Sequence, residues 1–155
     1  MMESLLGAAT ILLVEDNADD ERIALRALRR HAPAVRVKVA RDGEEALKRL
    51  GLDGGEGIGG FNLVLCDLKL PKLRGDEVLR HVRAANGLRD VPFVVFSSAD
   101  LPGEGEECVA LGASEYVVKP IDFDEYGQRL KRIVERYLDA ASLRATDTRE
   151  AAMAA

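Results

Sequence analysis

The sequence predicts an α/β fold: a single parallel sheet with helices on both faces. Three observations predict it. Strand-like apolar runs alternate with helix-like segments, five of each, along the chain. The first and third runs, "TILLVED" at 10–16 and "LVLCD" at 63–67, are apolar without alternation, as strands buried on both faces must be. Four of the five runs then stop on polar or charged residues, at the strand ends where open parallel sheets bind their ligands.

The elements follow in order. After the first strand, "ADDERIALRALRRH" (18–31) carries acids in its first turn and bases in its last, matching the helix dipole, and Pro33 ends it. "VRVKVA" (35–40) alternates like a strand with one wetter face. Asp42 and Gly43 open the short helix "EEALKRL", and the strand at 63–67 is followed by the helix "GDEVLRHVRAA" (75–85). "PFVVFSS" (92–98) is the fourth strand. "LPGEGEECVALGA" (101–113) is a weak helix, because Pro102, Gly103 and Gly105 burden its start. "EYVVKP" (115–120) is the fifth strand. The last helix, 122–141, has Asp122 and Glu125 at capping-box spacing. Its apolar stripe runs through Phe123, Tyr126, Leu130, Ile133, Val134, Tyr137, Leu138 and Ala141.

Composition narrows the function. The chain has 155 residues, the size of one domain, and is 47% hydrophobic and 32% charged. A net charge of −5 argues against nonspecific nucleic-acid binding, which needs phosphate-neutralising Lys and Arg. The apolar runs are too short to span a bilayer, and "MMESLLGAAT" carries Glu3 where a signal peptide would be positive; a cytoplasmic protein is expected. Cys66 and Cys108 form no CxxC pattern and fit buried, reduced thiols. "GEGIGG" (55–60) matches G-x-G-x-x-G through Gly55, Gly57 and Gly60, but it follows a helix and precedes a strand. A dinucleotide fingerprint needs the reverse, so a loop is expected there.

The strand ends hold Glu15-Asp16, Asp67, Ser97-Ser98 and Lys119-Pro120. An acid after a strand also serves as a cap for the next turn, and for Glu15 and Asp16 both readings stay open. Together, in this order, the residues Glu15-Asp16, Asp67 with Pro71 and Gly75, Ser97, Tyr116 and Lys119-Pro120 resemble a response-regulator receiver domain. The resemblance runs from about Thr10 to Leu138. It implies the strand order 2-1-3-4-5, which makes the first and third strands neighbours, so that Glu15, Asp16 and Asp67 converge. Three carboxylates at close range repel, and a divalent cation relieves them; all-oxygen ligation suits Mg²⁺, with Mn²⁺ able to substitute. The resemblance further implies that Asp67 accepts a phosphoryl group, assisted by Lys119 and the Ser97 hydroxyl. Asp16, Asp67 and the Lys69 backbone carbonyl would hold the metal directly, and Glu15 through water. Ser97 and Tyr116 would form the switch, a cis Lys119–Pro120 bond would aim the lysine, and dephosphorylation would be slow and intrinsic.

The stretches "LVEDNADDERIALRAL", "DLKLPKLRGDEVL" and "VPFVVFSSAD" are similar to single-domain regulators that partner phytochrome histidine kinases. The expected partner is therefore a sensor histidine kinase, of the bacteriophytochrome type; a phosphorelay step or phosphate sink for another kinase is the alternative. A magnesium phosphatase with an aspartyl nucleophile is a rival on the same sheet, but it needs a second Asp where Lys69 stands. Lys69 is itself a departure from the family, placed to shield a phosphoryl group from water or to assist its loss. His31 and His81 sit towards helix ends, as dipole partners or solvated side chains. Residues 1–9 are expected to be an extension, 10–141 the receiver, and 142–155 a tail without an output domain. A homodimer is expected through the face of the fourth helix, fifth strand and fifth helix, with Tyr126, Ile133 and Tyr137 as surplus apolar edge and Arg129, Arg132 and Arg136 pairing across it.

Overall fold

Strand β1 (Thr10–Val14) is central, because its side chains meet apolar neighbours on both faces. The computed structural model describes residues 9–52, 60–99 and 101–138. Around β1 lie β2 (Arg36–Ala40), β3 (Leu63–Asp67), β4 (Phe93–Ser97) and β5 (Glu115–Val118). Their order is β2-β1-β3-β4-β5, and every pairing is parallel. The helices between them are α1 (Ala18–His31), α2 (Gly43–Arg49), α3 (Gly75–Ala84), α4 (Glu104–Ala110) and α5 (Phe123–Tyr137). The five-stranded, doubly wound α/β sheet expected from the sequence is the one observed.

Successive strand residues point to opposite faces, so the unbroken apolar runs feed two cores. Leu12, Val14, Val64 and Cys66 pack under α2, α3 and α4 with Leu47, Leu79 and Cys108. Ile11, Leu13, Leu63 and Leu65 pack under α1 and α5 with Leu28, Leu130 and Val134. Both thiols are buried and unpaired, and burial pushes the Cys66 thiol up, so it stays protonated.

The helix starts are set by side-chain caps. Asn17, Asp42 and Asp122 accept from the backbone N–H three residues on, at 2.9, 2.7 and 3.0 Å. The weak fourth helix is shorter than its sequence window. It begins only after Gly103, which sits at φ 81°, a conformation that costs glycine nothing. Gly75 has a different task. A Cβ there would overlap the Asp67 carbonyl oxygen, so α3 can close onto the end of β3 only with glycine as its first residue. Gly75 N–H then donates to the Leu68 carbonyl at 2.9 Å.

The stripe of α5 needs correction. Tyr126 and Ile133 are core residues, each 3% exposed, and Tyr137 leans on the same cluster. They are not surplus, because α5 packs along α1 as well as on the sheet and covers its stripe from two sides. Phe123, assigned to that stripe, is instead 69% exposed, at the mouth of an open cleft between the start of α5 and α1. Arg136 is occupied within its own chain, 2.6 Å from Glu115. Gly55 and Gly57 of the glycine loop, the segment 1–8 and residues 139–155 lie outside the described residues. Among the described residues no helix is long and apolar enough to cross a membrane.

Replacing Gly75 by alanine forces a methyl group onto the Asp67 carbonyl. The expected loss is about 1–3 kcal/mol, the usual range for overpacking. A urea midpoint equal to that of the wild type would show that α3 can shift away freely.

Candidate functional site

The sheet register assembles the site. Val14 pairs with Cys66, so Glu15, the next residue, is level with Asp67. Asp67 pairs with Phe96, placing Ser97 one step beyond, and Ser97 pairs with Val118, placing Lys119 beside it. The Lys119 N–H donates to the Ser97 carbonyl at 2.7 Å and locks that step. Three parallel strand ends and the residue after β5 thus deliver their side chains to one edge.

Lys119 is the hub. Its side chain is 6% exposed, and Nζ lies 2.7 Å from Glu15 Oε1, 2.9 Å from Asp20 Oδ2 and 3.1 Å from Asp67 Oδ2. Burial works against the ammonium charge, but the hydrogen bond to Glu15 and the charge of Asp67 outweigh it and raise its pKa. Burial acts on Glu15 in the other sense. It pushes that carboxyl up to about 7, against the lowering effect of Lys119. Glu15 also caps: its Oε2 accepts from Asn17 N–H at 3.1 Å. One oxygen of this acid thus caps the following turn while the other meets Lys119. Asp20 was not singled out in the sequence, where it is one of several acids in a helix first turn. Only its distance from Asp16, one helical turn, hints that it faces the same edge.

Glu15, Asp16 and Asp67 each offer a carboxylate oxygen, and these lie within 4.8 Å of one another. Asp16 is exposed while Glu15 is buried, so the cluster is open to solvent on one side. An all-oxygen anionic set with an open side fits a hexacoordinate Mg²⁺ or Mn²⁺ that keeps several waters. Lys69 follows at the end of β3 with an exposed side chain.

Ser97 is fully buried. Its hydroxyl donates to the Ala99 carbonyl at 2.7 Å, with Glu104 Oε1 at 3.1 Å. The Tyr116 hydroxyl donates to the same Glu104 oxygen at 2.5 Å and lies 3.1 Å from the Ala99 carbonyl. Glu104 was missed in the sequence, since an acid in a helix first turn suits the dipole whatever else it does. The two histidines are away from this edge. His81 Nδ1 lies 2.8 Å from the Glu77 carbonyl, and burial followed by the charge of Lys131 lowers the His31 pKa.

The Lys119–Pro120 bond is trans, as are all peptide bonds among the described residues, and this corrects the cis expectation. Trans is the favoured isomer by about 0.5–1 kcal/mol. Lys119 Nζ already reaches three carboxylates from that geometry, so nothing in the site demands the other isomer.

Comparison with known proteins agrees with this geometry. The family described as "Response regulator receiver domain" matches residues 11–131. Two-component response regulator ARR15 of Arabidopsis thaliana is 33% identical over 131 residues, which cover 81% of this chain and 62% of that protein, so the chain spans under two thirds of that relative. The crystal structure of the Mn²⁺-bound response regulator Rcp1 is 27% identical with a TM-score of 0.77, over 87% of this chain and 98% of Rcp1. The phosphorylated cyanobacterial phytochrome response regulator RcpA is 32% identical with a TM-score of 0.75, over 87% and 97% of the two chains.

Replacing Lys119 by methionine leaves Glu15, Asp20 and Asp67 facing one another with no cation. Without added metal the variant is expected to lose about 3 kcal/mol at pH 8, the lower end of the cost of breaking a buried pair. The pH dependence of the wild type follows from Glu15. Its folded pKa is raised, so between about 4.5 and about 7 the folded state binds more protons than the unfolded state. This group's contribution to stability therefore falls as pH rises through that window. Urea titrations in EDTA at several pH values check both effects, and a flat profile would remove Glu15 from the account.

Proposed function

Since the chain belongs to the response-regulator receiver family, we propose that it is a signalling switch that takes a phosphoryl group onto Asp67. The observation that carries this reading is Lys119 Nζ held 3.1 Å from Asp67 Oδ2 at the aligned strand ends. The Asp67 carboxylate attacks phosphorus, the bond from phosphorus to the donor's imidazole nitrogen breaks, and an acyl phosphate forms. Lys119, already beside Asp67, neutralises the added charge, and the Ser97 hydroxyl supplies a donor once it turns inward. Asp16, Asp67 and the Lys69 carbonyl would hold Mg²⁺ or Mn²⁺, with Glu15 reaching it through water. When bound, the cation offsets charge on the transferring oxygens. Ser97 and Tyr116 are the switch pair. Hydrolysis returns the protein to rest, and the exposed Lys69 side chain slows it by shielding the acyl phosphate.

The kinase partner is of the phytochrome type, supported by the likeness to RcpA over most of both chains. A dimer through α4, β5 and α5 keeps Arg129 and Arg132 of those first expected, while its apolar part falls to another residue. Val109 of α4 is half exposed, the α4 acid Glu106 is exposed, and so are Arg129 and Arg132 of α5. Opposed charges around a small apolar centre suit a two-fold contact. Light scattering across a concentration series, on the wild type and on Val109→Asp, tests it; a monomer throughout, phosphorylated or not, would end it.

Acetyl phosphate with Mg²⁺ adds one phosphoryl group, read by intact mass. Asp67→Asn abolishes the labelling and EDTA stops it; normal labelling of the Asn variant would sink the assignment. Metal affinity has its own pH signature. A single competing proton on Glu15 weakens Mg²⁺ binding roughly tenfold between pH 8 and pH 6. Calorimetry at the two pH values checks this, and equal affinities would take Glu15 out of the metal site. Lys69→Ala is expected to shorten the lifetime of the labelled form, and an unchanged decay rate would leave the lysine without a role.

A further inference from the structure

At the start of α4 one carboxylate oxygen collects hydroxyl groups from two strands. Tyr116 Oη reaches Glu104 Oε1 at 2.5 Å, Ser97 Oγ lies 3.1 Å from the same atom, and both hydroxyls also contact the Ala99 carbonyl. Two hydroxyl protons thus face two acceptors in a closed ring. The shortest contacts assign Ser97 to Ala99 and Tyr116 to Glu104, with the exchanged arrangement open to both. The next residue adds an independent fit. A Cβ at Gly105 would stand 3.0 Å from Tyr116 Cδ1 and 3.4 Å from Cε1 and Cγ, so the ring lies directly on the glycine. Serving the helix dipole does not account for Glu104 turning inward, because Glu106 and Glu107 serve it from exposed positions.

We propose that Glu104 and Gly105 form a clasp and seat that hold Ser97 and Tyr116 to the first turn of α4, so that this turn must let go before Ser97 can serve a phosphoryl group on Asp67. The inference rests on the phosphoacceptor reading and names positioning residues for it. Ser97 has one hydroxyl proton, and the clasp and a phosphoryl dianion compete for it. Glu104 holds the Tyr116 proton in a charge-assisted bond, about twice as strong as a neutral one, and Ser97 closes the same ring through the Ala99 carbonyl, so the carboxylate sets a resting state that resists phosphorylation. Once Ser97 turns, Ala99 is left to Tyr116 alone, the ring contact that fixed the tyrosine opens, and α4, with only seven residues and no side-chain cap, has lost its fastening.

The test uses the full chain as wild type, Glu104→Gln, Glu104→Ala and Gly105→Ala. Amide hydrogen exchange over 104–110 is read without phosphodonor, and labelling by limiting acetyl phosphate with Mg²⁺ is read by intact mass. Glu104→Ala is expected to speed both by about tenfold, the loss of one charge-assisted bond. Glu104→Gln keeps one carbonyl oxygen and falls between, and Gly105→Ala moves both in the same direction by less. The isosteric Gln variant keeps the comparison available if the Ala variant folds poorly. Wild-type rates in the Glu104 variants, slower labelling, or a Gln variant that labels as fast as Ala with unchanged exchange would overturn the clasp. Wild-type protein that takes no label on Asp67 overturns the phosphoacceptor reading instead. The exchange measurement then still decides the clasp, for which faster exchange counts and unchanged exchange counts against.

Discussion

The structure turns on one ammonium shared by three carboxylates. Lys119 enters from the end of β5 and meets acids from β1, from α1 and from β3. Such a convergence is costly to assemble, because desolvating four charges is repaid only by close geometry. The close geometry comes from parallel pairing with an unbroken register. One slipped residue in any pairing would turn Glu15 or Asp67 to the other face of the sheet. The apolar runs of β1 and β3, buried on both faces, are what hold the register. The hydrophobic cores are therefore part of the site's chemistry, since they keep an otherwise repulsive cluster together.

The charge balance is deliberately incomplete. Burial raises the Glu15 pKa even with Lys119 against it, so this carboxyl is drawn towards its neutral form. A group in that condition prefers a proton or a cation, and the exposed side at Asp16 is where either can arrive. The same edge continues through Ser97 into α4, where Glu104 meets the buried serine and Gly105 the Tyr116 ring, in a first turn without a side-chain cap.

Likeness in fold to Rcp1 and RcpA over most of the chain leaves room for local individuality. The surface of α4 and α5 shows this. The stripe of α5 is spent on α1 and the sheet, and Arg136 and Tyr137 are fastened to Glu115 at the start of β5. Among the described residues Val109 of α4 remains half exposed, and at the start of α5 Ile121 and Phe123 stand out into solvent.

The sequence by itself determined the element order, the two-faced burial of the central strands and the polar residues at their ends. These are local or periodic properties, and each follows from a strand or helix meeting its neighbours on fixed faces. The strand-end positions of Asp67, Lys119 and Ser97 were legible for the same reason, since each directly terminates an apolar run. Tertiary structure alone decided the rest. Asp20 and Glu104 look like ordinary first-turn acids, and only the packing of α1 and α4 on the sheet turns one to Lys119 and the other to Tyr116. The fate of the α5 stripe was undecided too, because periodicity marks which side chains are apolar and not how many neighbours will cover them. The reach of Lys119 belongs here as well: from a trans bond to Pro120 it finds three acids, whose positions depend on where three other elements begin or end.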